Sequence, residues 1–404
     1  MTKLSADTVL RRVPELRVHV DSSGGTKIYV GGGLVECGSY GLTVLDLFSR
    51  PSTLSAAVAK LKAQVTGSYD WIDLTSTIMR LHQAGVLTEE HAGAEGLKAV
   101  AYGYDASPIH AAMLNDRSRT ESFLAGIAEV VRPGDVVVDV GTGTGILAMA
   151  AARAGASRVY AVEATRIGRH ARANFEANGF GDRITLVEGW STRVTLPERA
   201  DVLVSEMIGN EPLAESVIEV FNDARARMLK PSPRMVPSSV RIFGLPVEIP
   251  RAELARRVFV DESLSAWHSW YGFDFSRLAV AARSSSQVFT IKPHKARGWR
   301  ILGDPVPLAE IDFRTTTGLA IDTTVRSAAA CQGRMSGLVT YFELELGPTA
   351  RLSTHPGLAD ESNHWVSPVW VLPQELDLSP GDEVAVSYRY RNGEELCTVR
   401  KVES

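Results

Sequence analysis

The chain has 404 residues, which is more than one hydrophobic core usually fills, so we expect two or three domains. Hydrophobic residues make up 45%, charged residues 22%, and the net charge is −4; these values are ordinary for a soluble globular protein and argue against bulk binding to nucleic acid or acidic lipid. The three cysteines lie far apart, and neither a signal-type start nor a membrane-length apolar run is present, so we expect a cytoplasmic protein with no disulfide framework, metal site or membrane contact.

Residues 1–92 form the first predicted domain. Three short strand-like runs, LRVHV, KIYV and LVEC, are separated by glycine turns, which is typical of an antiparallel meander. Three helical segments follow, and the last one is expected to end at Gly85. Three strands and three helices in about 90 residues predict a small winged-helix domain.

Residues 93–240 alternate apolar strands with helical segments. The runs DVVVDV, SRVYAVEA, ITLVEG and ADVLVSEM have the continuous apolar character of strands that are buried on both faces. Such strands, alternating with helices, predict a doubly wound, Rossmann-like α/β sheet.

Residues 241–404 have a different pattern. Strand-like runs such as QVFTIK, LVTYFELEL and EVAVSYRY follow one another at short intervals, which favours an antiparallel β-barrel or sandwich. Trp365 and Trp370 are expected in the core or at the rim of this barrel. The basic run PHKARGWR, residues 293–300, is expected to be a solvated loop.

The run VVVDVGTGTGIL is the strongest local signal in the chain. Asp139 ends a buried strand, and Gly141, Gly143 and Gly145 follow before a helix, where glycines let the backbone turn sharply and approach a ligand. A dinucleotide site is one interpretation, and a tight turn without ligand is another. The acid within the turn, together with Glu163 at the end of the next strand, favours a cationic nucleoside such as S-adenosylmethionine.

Over residues 100 to 404 the chain resembles the protein arginine methyltransferases. The segment VVDVGTGTGILAMAAARAGASRVYAVEA is similar to their cofactor motif, IHAAMLNDRSRT to the helix that closes over the cofactor, and SEMIGNEPLAES to their double-glutamate loop. The resemblance implies a seven-stranded methyltransferase sheet, a β-barrel and the cofactor S-adenosylmethionine, with S-adenosylhomocysteine as product. The residues it assigns to the cofactor are His110, Met113, Arg119, Asp139, Gly141, Thr142, Gly143, Gly145, Glu163, Ala164, Trp190, Ser191 and Thr192.

The same resemblance assigns catalytic roles. Glu206 and Glu215 match the two glutamates of the loop and would position and deprotonate the acceptor nitrogen. NHWVSPVWVL resembles the T-H-W loop, in which His364 would pair with Asp116. A structural role for His364 is the alternative. WHSWYGFDFS resembles the dimerisation arm, which implies a homodimer formed through residues 246–278.

The chain also departs from the family pattern. Met207 and Asn210 replace the aromatic residues of the loop, Val100 replaces one of two tyrosines so that only Tyr104 remains, and Thr192 replaces an acid. Tyr104, Asn210 and Glu211 are the candidate substrate residues, with a solvent-facing Glu211 as the alternative. Missing aromatic walls favour a plain amine over a flat guanidinium.

Residues 1–92 resemble PqqD-like domains, which recognise the leader of a ribosomally synthesised peptide. GLVECGSYGLTVLDLF and LHQAGVL carry this resemblance, which implies a peptide that adds as a strand to the sheet edge. A packing or DNA-binding winged helix is the alternative. Taken together, the leading hypothesis is an S-adenosylmethionine-dependent N-methyltransferase that acts on an amine of such a peptide. Arginine methylation of cellular proteins and a non-catalytic, cofactor-sensing binding protein are the other hypotheses.

Overall fold

The computed structural model describes residues 5–13, 16–20, 26–30, 33–37, 40–61, 65, 68–89, 107–165, 167–213, 215–283, 287–391 and 394–402. The chain divides into two compact units, Met1–Ala111 with Thr165–Ile167, and Ala112–Ala164 with Gly168–Ser404. No described helix combines the length and apolar character that crossing a membrane requires.

The first unit contains two small antiparallel sheets and a set of helices. Its elements up to residue 89 are β1 (Val9–Arg12), β2 (Arg17–Val20), β3 (Thr26–Val30), β4 (Gly33–Cys37), α1 (Gly41–Leu47), β5 (Ser52–Thr53), α2 (Leu54–Leu61), α3 (Ser68–Gln83) and β6 (Leu87–Glu89). Strands β2, β3 and β4 pair in that order, which confirms the predicted meander. Gly85 has a φ of +72° just after α3, as expected of the residue that ends a helix. The sheet β5-β1-β6 was not predicted.

The first part of the second unit is a parallel α/β layer. Helix α4 (Ser107–Asn115) contains the division between the two units. The elements that follow it are α5 (Arg117–Val130), β7 (Val136–Val140), α6 (Ile146–Arg153), β8 (Arg158–Glu163), α7 (Gly168–Ala177), β9 (Ile184–Glu188), β10 (Ala200–Ser205), α8 (Val217–Arg227) and β11 (Leu229–Val236). The strands are parallel in the order β11-β10-β7-β8-β9. The expected parallel sheet is therefore confirmed.

The expected number of strands in this sheet was wrong. The described residues place five strands in it rather than seven. The strand that follows β11, β12 (Ser239–Glu248), pairs antiparallel with β15 (Val306–Asp312) and β17 (Gly333–Glu345) and so belongs to the next sheet. A short connection after β11 carries the chain directly out of the parallel layer.

The remaining chain is an antiparallel, barrel-like domain with a helical excursion. Its further elements are α9 (Arg251–Arg257), α10 (Asp261–Tyr271), α11 (Ser276–Arg283), β13 (Gln287–Ile291), a 3-10 helix (Pro293–Ala296), β14 (Arg300–Ile301), β16 (Ala320–Ala328), β18 (Arg351–Ser353), β19 (Ser367–Leu378), β20 (Glu383–Arg391) and β21 (Glu394–Lys401). One sheet runs β13-β19-β17-β12-β14, and another runs β16-β20-β21. Trp365 and Trp370 are buried here, as predicted.

The helical excursion is displaced from the predicted arm. Helices α9 to α11 cover Arg251–Arg283, whereas the expectation was 246–278. Pro246 is a strand residue opposite Leu338, because β12 continues in register with β17 as far as Val247. The excursion therefore begins only after this strand ends.

Candidate active site

The glycine loop lies at the carboxyl edge of the parallel sheet. Asp139 is fully buried, and Thr142 Oγ1 donates a hydrogen bond of 2.5 Å to its Oδ2 atom. Its Oδ1 atom is buried with no hydrogen-bond partner among the described residues. Burial raises the pKa of Asp139 to about 7, and the neighbouring charge of Glu163 adds to this against the opposing effect of the Thr142 hydrogen bond.

The three glycines of this loop all have left-handed backbone angles. The φ values are +75° for Gly141, +55° for Gly143 and +88° for Gly145. A Cβ atom on Gly145 would lie only 2.3 Å from Cε1 of Phe175, so a side chain there has no room. The Gly143 amide donates to Glu163 Oε2 at 2.8 Å, which holds the two acidic strand ends together.

The other predicted cofactor residues are placed as follows. Trp190, Ser191 and Thr192 lie in the turn after β9, where the Arg227 guanidinium donates to the Ser191 carbonyl at 2.7 Å. Trp190 is 48% exposed, which argues against a role in the core. Ala164 is exposed directly after β8.

Helix α4 carries two of the predicted cofactor residues, His110 and Met113. His110 is buried in the part of α4 that belongs to the first unit. The Met113 carbonyl accepts a hydrogen bond of 3.1 Å from Arg119 Nη1. Tyr104, the candidate substrate tyrosine, and Val100 lie outside the described residues.

Arg119 and Glu206 form a buried ion pair. The guanidinium comes from the first turn of α5 and the carboxylate from the residue after β10, and both side chains are at least 90% buried. Arg119 also lies 5.8 Å from the centre of the Trp365 ring. Because burial strengthens the attraction between charges, this pair fixes the Glu206 carboxylate at the sheet edge.

The double-glutamate loop folds back on itself. Gly209 comes so close to Glu215 that an added Cβ would lie 3.6 Å from Glu215 Oε1. Glu206 Oε1 accepts a hydrogen bond of 3.3 Å from the Ile208 amide within the same loop. The loop thus gathers both predicted catalytic carboxylates on the turn that follows β10.

Glu211 is half-buried rather than solvent-facing, and it lines a cavity between the loop and the barrel. Burial raises its pKa above the usual value for a glutamate. Glu395 of β21 lines the same cavity, and burial raises the pKa of that carboxyl to about 7. The solvent-facing alternative for Glu211 is therefore wrong.

Two hydrogen bonds attach the loop to the barrel. Asn210 Oδ1 accepts from the Val366 amide at 2.8 Å, and Trp365 Nε1 donates to the Ile208 carbonyl at 2.7 Å. Met207 lies beside the glycine loop, where a Cβ on Gly141 would be 3.2 Å from its Cγ atom. These replacements for aromatic residues thus have packing and hydrogen-bonding partners of their own.

His364 and Asp116 are paired as predicted. Asp116 Oδ2 accepts from the His364 amide at 2.9 Å and lies 2.8 Å from His364 Nδ1. Burial raises the pKa of Asp116, but the hydrogen bonds from His364 and Arg119 outweigh it, so the pKa is lowered. An ionised carboxylate only accepts hydrogen bonds, so Nδ1 carries the proton and Nε2 is left with its lone pair.

The basic run after β13 was wrongly interpreted as a solvated loop. Lys292, immediately before it, donates from Nζ to the carbonyls of Asn363 at 2.9 Å and His364 at 2.7 Å. Arg297 donates to the Ala359 carbonyl at 2.6 Å, and Trp299 is buried. The sequence does contain a signal for these contacts. Cationic residues alternate with a proline and a tryptophan, and a solvated loop does not need the latter two.

Two family descriptions match this part of the chain. "Ribosomal protein L11 methyltransferase (PrmA)" matches residues 117–240, which cover the parallel sheet. "Arginine methyltransferase oligomerization subdomain" matches residues 252–398, which cover most of the helical excursion and the barrel.

Proteins with similar sequences also carry the names of arginine methyltransferases. The chain is 32% identical over 304 residues to "Protein arginine N-methyltransferase PRMT10" of Oryza sativa subsp. japonica, a match that covers 68% of this chain and 78% of that protein. It is 34% identical over 283 residues to "Probable histone-arginine methyltransferase CARM1" of Oryza sativa subsp. indica, covering 67% of this chain and 52% of that protein.

Solved structures share the fold. The Trypanosoma brucei PRMT1 enzyme–prozyme complex with AdoHcy superposes with a TM-score of 0.63 at 24% identity, covering 74% of this chain and 99% of that one. Arabidopsis thaliana protein arginine methyltransferase 10 superposes with a TM-score of 0.60 at 25% identity and the same coverage.

Proposed function

Because the chain belongs to the protein arginine methyltransferases and is therefore an S-adenosylmethionine-dependent methyltransferase, we propose that it methylates a nitrogen atom of a protein or peptide. The observation that carries this proposal is the double-glutamate loop, in which Met207, next to Glu206, lies beside Gly141 and Glu215 lies close to Gly209. The relatives are arginine methyltransferases, so the arginine guanidinium is the first candidate acceptor, ahead of the peptide amine favoured by the sequence.

The glycine loop fits the cofactor. Its left-handed glycines leave the backbone open to a ligand, and the buried, unpaired Oδ1 atom of Asp139 needs a hydrogen-bond donor that a bound molecule can supply. When bound, S-adenosylmethionine supplies a methyl group on a sulfonium. We propose that the cofactor-assigned residues of the family motif hold it, with Glu163 at the ribose and Arg119 at the carboxylate.

The acceptor nitrogen must lose a proton, because only a neutral nitrogen has a lone pair for the methyl group. A lysine-like amine has an unperturbed pKa of about 10.4 and an arginine one above about 12. Glu206 and Glu215 bind the cation and orient it, and one of them accepts the proton. His364 Nε2, whose tautomer Asp116 fixes, is a base to which that proton can pass.

A peptide amine is the second candidate acceptor. Two contacts favour it. Asn210 accepts a hydrogen bond from the Val366 amide, and Met207 lies next to Gly141. Neither side chain offers an aromatic face to a guanidinium. We propose that Glu211, half-buried beside Asn210, adds negative charge to the acceptor site. Tyr104 keeps its proposed substrate role from the family motif alone.

We propose that residues 1–92, the first domain, bind the substrate peptide. In the described meander, β2 is an edge strand, and Val20 and Tyr29 of the meander are exposed although apolar. An open strand edge can accept an extended peptide through backbone hydrogen bonds. The resemblance to leader-recognition domains supports this role, and a packing or DNA-binding winged helix is the competing one.

We also propose that the protein is a homodimer whose arm is Arg251–Arg283. Residues 252–398 match the oligomerization subdomain. The arm exposes Trp270, Phe273 and Val280, each about two-thirds accessible. Exposed apolar side chains in such a cluster are typical of a protein–protein interface. The boundaries 93–240 and 241–404 remain our proposed division of the catalytic part.

The test uses the full-length protein, labelled S-adenosylmethionine and two kinds of acceptor: arginine-containing proteins, and a precursor peptide encoded beside the gene. Methylarginine after acid hydrolysis is expected if the first candidate is right. Methylation of an amine, lost when the leader or residues 1–92 are removed, would support the second. No transfer to either kind of acceptor, with cofactor bound, would overturn the proposed function.

A further inference from the structure

The four residues 363–366 form a bridge loop between the barrel and the carboxyl edge of the parallel sheet. The backbone amide of each of the last three donates to a side chain: His364 to Asp116, Trp365 to the Asn363 carboxamide at 2.9 Å, and Val366 to Asn210. These three backbone amides are thus paired with the side chains of Asp116, Asn363 and Asn210. The carbonyl oxygens of the bridge loop need hydrogen-bond donors of their own.

Lys292 supplies donors to two of these carbonyls. It follows the last residue of β13, where Ile291 pairs with Ser367 at the start of β19, so the register places it next to the bridge loop. Its ammonium group donates to Asn363 and His364, the residues on either side of the peptide bond that carries the His364 amide. Pro293 begins the 3-10 helix immediately after it and restricts the backbone there.

The ammonium charge also faces the Asp116 carboxylate. Burial lowers the pKa of Lys292, and the charge of Asp116 partly opposes this change. His364 pairs with Asp116, and Arg119 of helix α5 pairs with Glu206. A half-buried cation is therefore balanced by the anion that also fixes the imidazole.

We propose that Lys292 is a positioning residue for the methyl-transfer reaction, because it holds the bridge loop so that the His364 imidazole stays on Asp116. This inference rests on the proposed function, in which His364 Nε2 receives the acceptor's proton. In this proposal Lys292 acts on the reaction through the loop carbonyls of Asn363 and His364. Loss of its two hydrogen bonds lets the loop carbonyls move and misplaces the imidazole.

The first measurement needs no acceptor. In protein labelled with 15N at histidine, the ring nitrogen signals of His364, assigned with His364→Gln, report its tautomer and hydrogen bond to Asp116. Lys292→Met should shift or broaden these signals while the other histidine signals stay in place. Lys292→Arg, which keeps both charge and donors, should restore them, and Lys295→Met on the exposed side of the 3-10 helix should change nothing.

The second measurement is the division between kcat and KM. Lys292→Met should lower kcat by about 10-fold to 100-fold through misplacement, with the KM for S-adenosylmethionine unchanged. If Lys292→Met does not fold, Lys292→Gln, which keeps one donor and loses the charge, takes its place. Unchanged His364 signals overturn the proposal, and so does a general shift of all histidine signals with a lowered melting temperature. Because the ring signals are recorded without an acceptor, they test the role of Lys292 even if the proposed function is wrong.

Discussion

Arg119, which is proposed to bind the carboxylate of the cofactor, forms an ion pair with Glu206, which is proposed to bind the acceptor. Glu215, in contrast, has its carboxylate close to Gly209 within its own loop. We therefore expect a change at Glu206 to reach the cofactor through Arg119.

The first prediction follows from this ion pair. Glu215→Gln should lower kcat by about 10²-fold to 10⁴-fold, because the acceptor loses a base. Glu206→Gln should lower kcat similarly and also weaken cofactor binding by about 10-fold, because Arg119 loses its buried anion. Calorimetric titration with cofactor and steady-state kinetics measure both effects. Glu176→Gln, on the exposed face of α7, is the matched control. Unchanged cofactor affinity in Glu206→Gln would contradict the role of its ion pair with Arg119.

The second prediction concerns the stability that Asp116 contributes. Its pKa is lowered in the folded protein, so its contribution is fully present above the unfolded value of 3.8 and is lost as the pH falls through the folded pKa. Asp116→Asn keeps a helix-capping oxygen but loses the charge, and should lower the free energy of unfolding at pH 7 by about 1–3 kcal/mol. Denaturant titrations should show this difference shrinking below pH 3.8. Asp182→Asn, at an exposed position, should show no such pH dependence.

A trade-off between stability and binding is expected at Asp139. Its folded pKa of about 7 lies above the unfolded value of 3.8, so ionisation of the buried carboxyl destabilises the fold increasingly as the pH rises from 3.8 to 7. Without cofactor, Asp139→Asn should therefore be more stable than the wild type, with an advantage that grows over this range and then levels off. The same variant should bind S-adenosylmethionine at least about 10-fold more weakly. Thermal unfolding across pH, with and without cofactor, tests both parts, and a less stable variant at pH 8 would refute the first.

Gly145 and Gly134 offer a matched comparison of strain and crowding. Both have a left-handed φ, +88° and +90°, but only Gly145 faces a neighbour, the Phe175 ring at 2.3 Å from its ideal Cβ position. Gly134→Ala should cost about 1 kcal/mol of backbone strain, whereas Gly145→Ala should cost about 3 kcal/mol or more and abolish cofactor binding. Denaturant unfolding of the two variants gives the difference directly. If both lose the same stability, the crowding argument at Phe175 fails.

The arm can be tested through its exposed aromatic residues. Trp270 and Phe273 are each 66% accessible in this chain, and the combined change of both to Ser should convert a dimer to a monomer in sedimentation experiments. Turnover should fall with dimer dissociation. Leu358→Ser, at a position that is 71% accessible but lies on the barrel, should leave the sedimentation coefficient unchanged. A dimer that survives the double change would place the interface elsewhere.

Local patterns were sufficient to predict the parallel sheet and the glycine loop at its carboxyl edge. The apolar runs that end in Asp139 and Glu163 became β7 and β8, and the glycines between strand and helix took the left-handed angles that their positions required. The pairing of His364 with Asp116 came from family resemblance, since nothing local connects residues 248 positions apart.

Other features depend on pairings that no local pattern encodes. β12 has the composition of a strand that could extend the parallel layer, but its partner is β17, about 100 residues later. Lys292 stands in a cationic run, and only the register of β13 against β19 brings it to the bridge loop. The partners of Asn210 and Met207 likewise come from distant segments, so sequence alone showed what these residues lack and not what they contact.

The bridge loop also bears on the order in which the chain becomes active. Its hydrogen bonds with Asp116, Asn210 and Lys292 span 248, 156 and 72 residues along the sequence. Contacts between such distant residues close large loops of chain. The conformational entropy of these loops is lost before the contacts can form. Residues 112–240 can complete the glycine loop as soon as their sheet exists, whereas the imidazole reaches Asp116 only after the barrel is built. We therefore expect a newly made chain to complete its proposed cofactor site before its proposed proton relay.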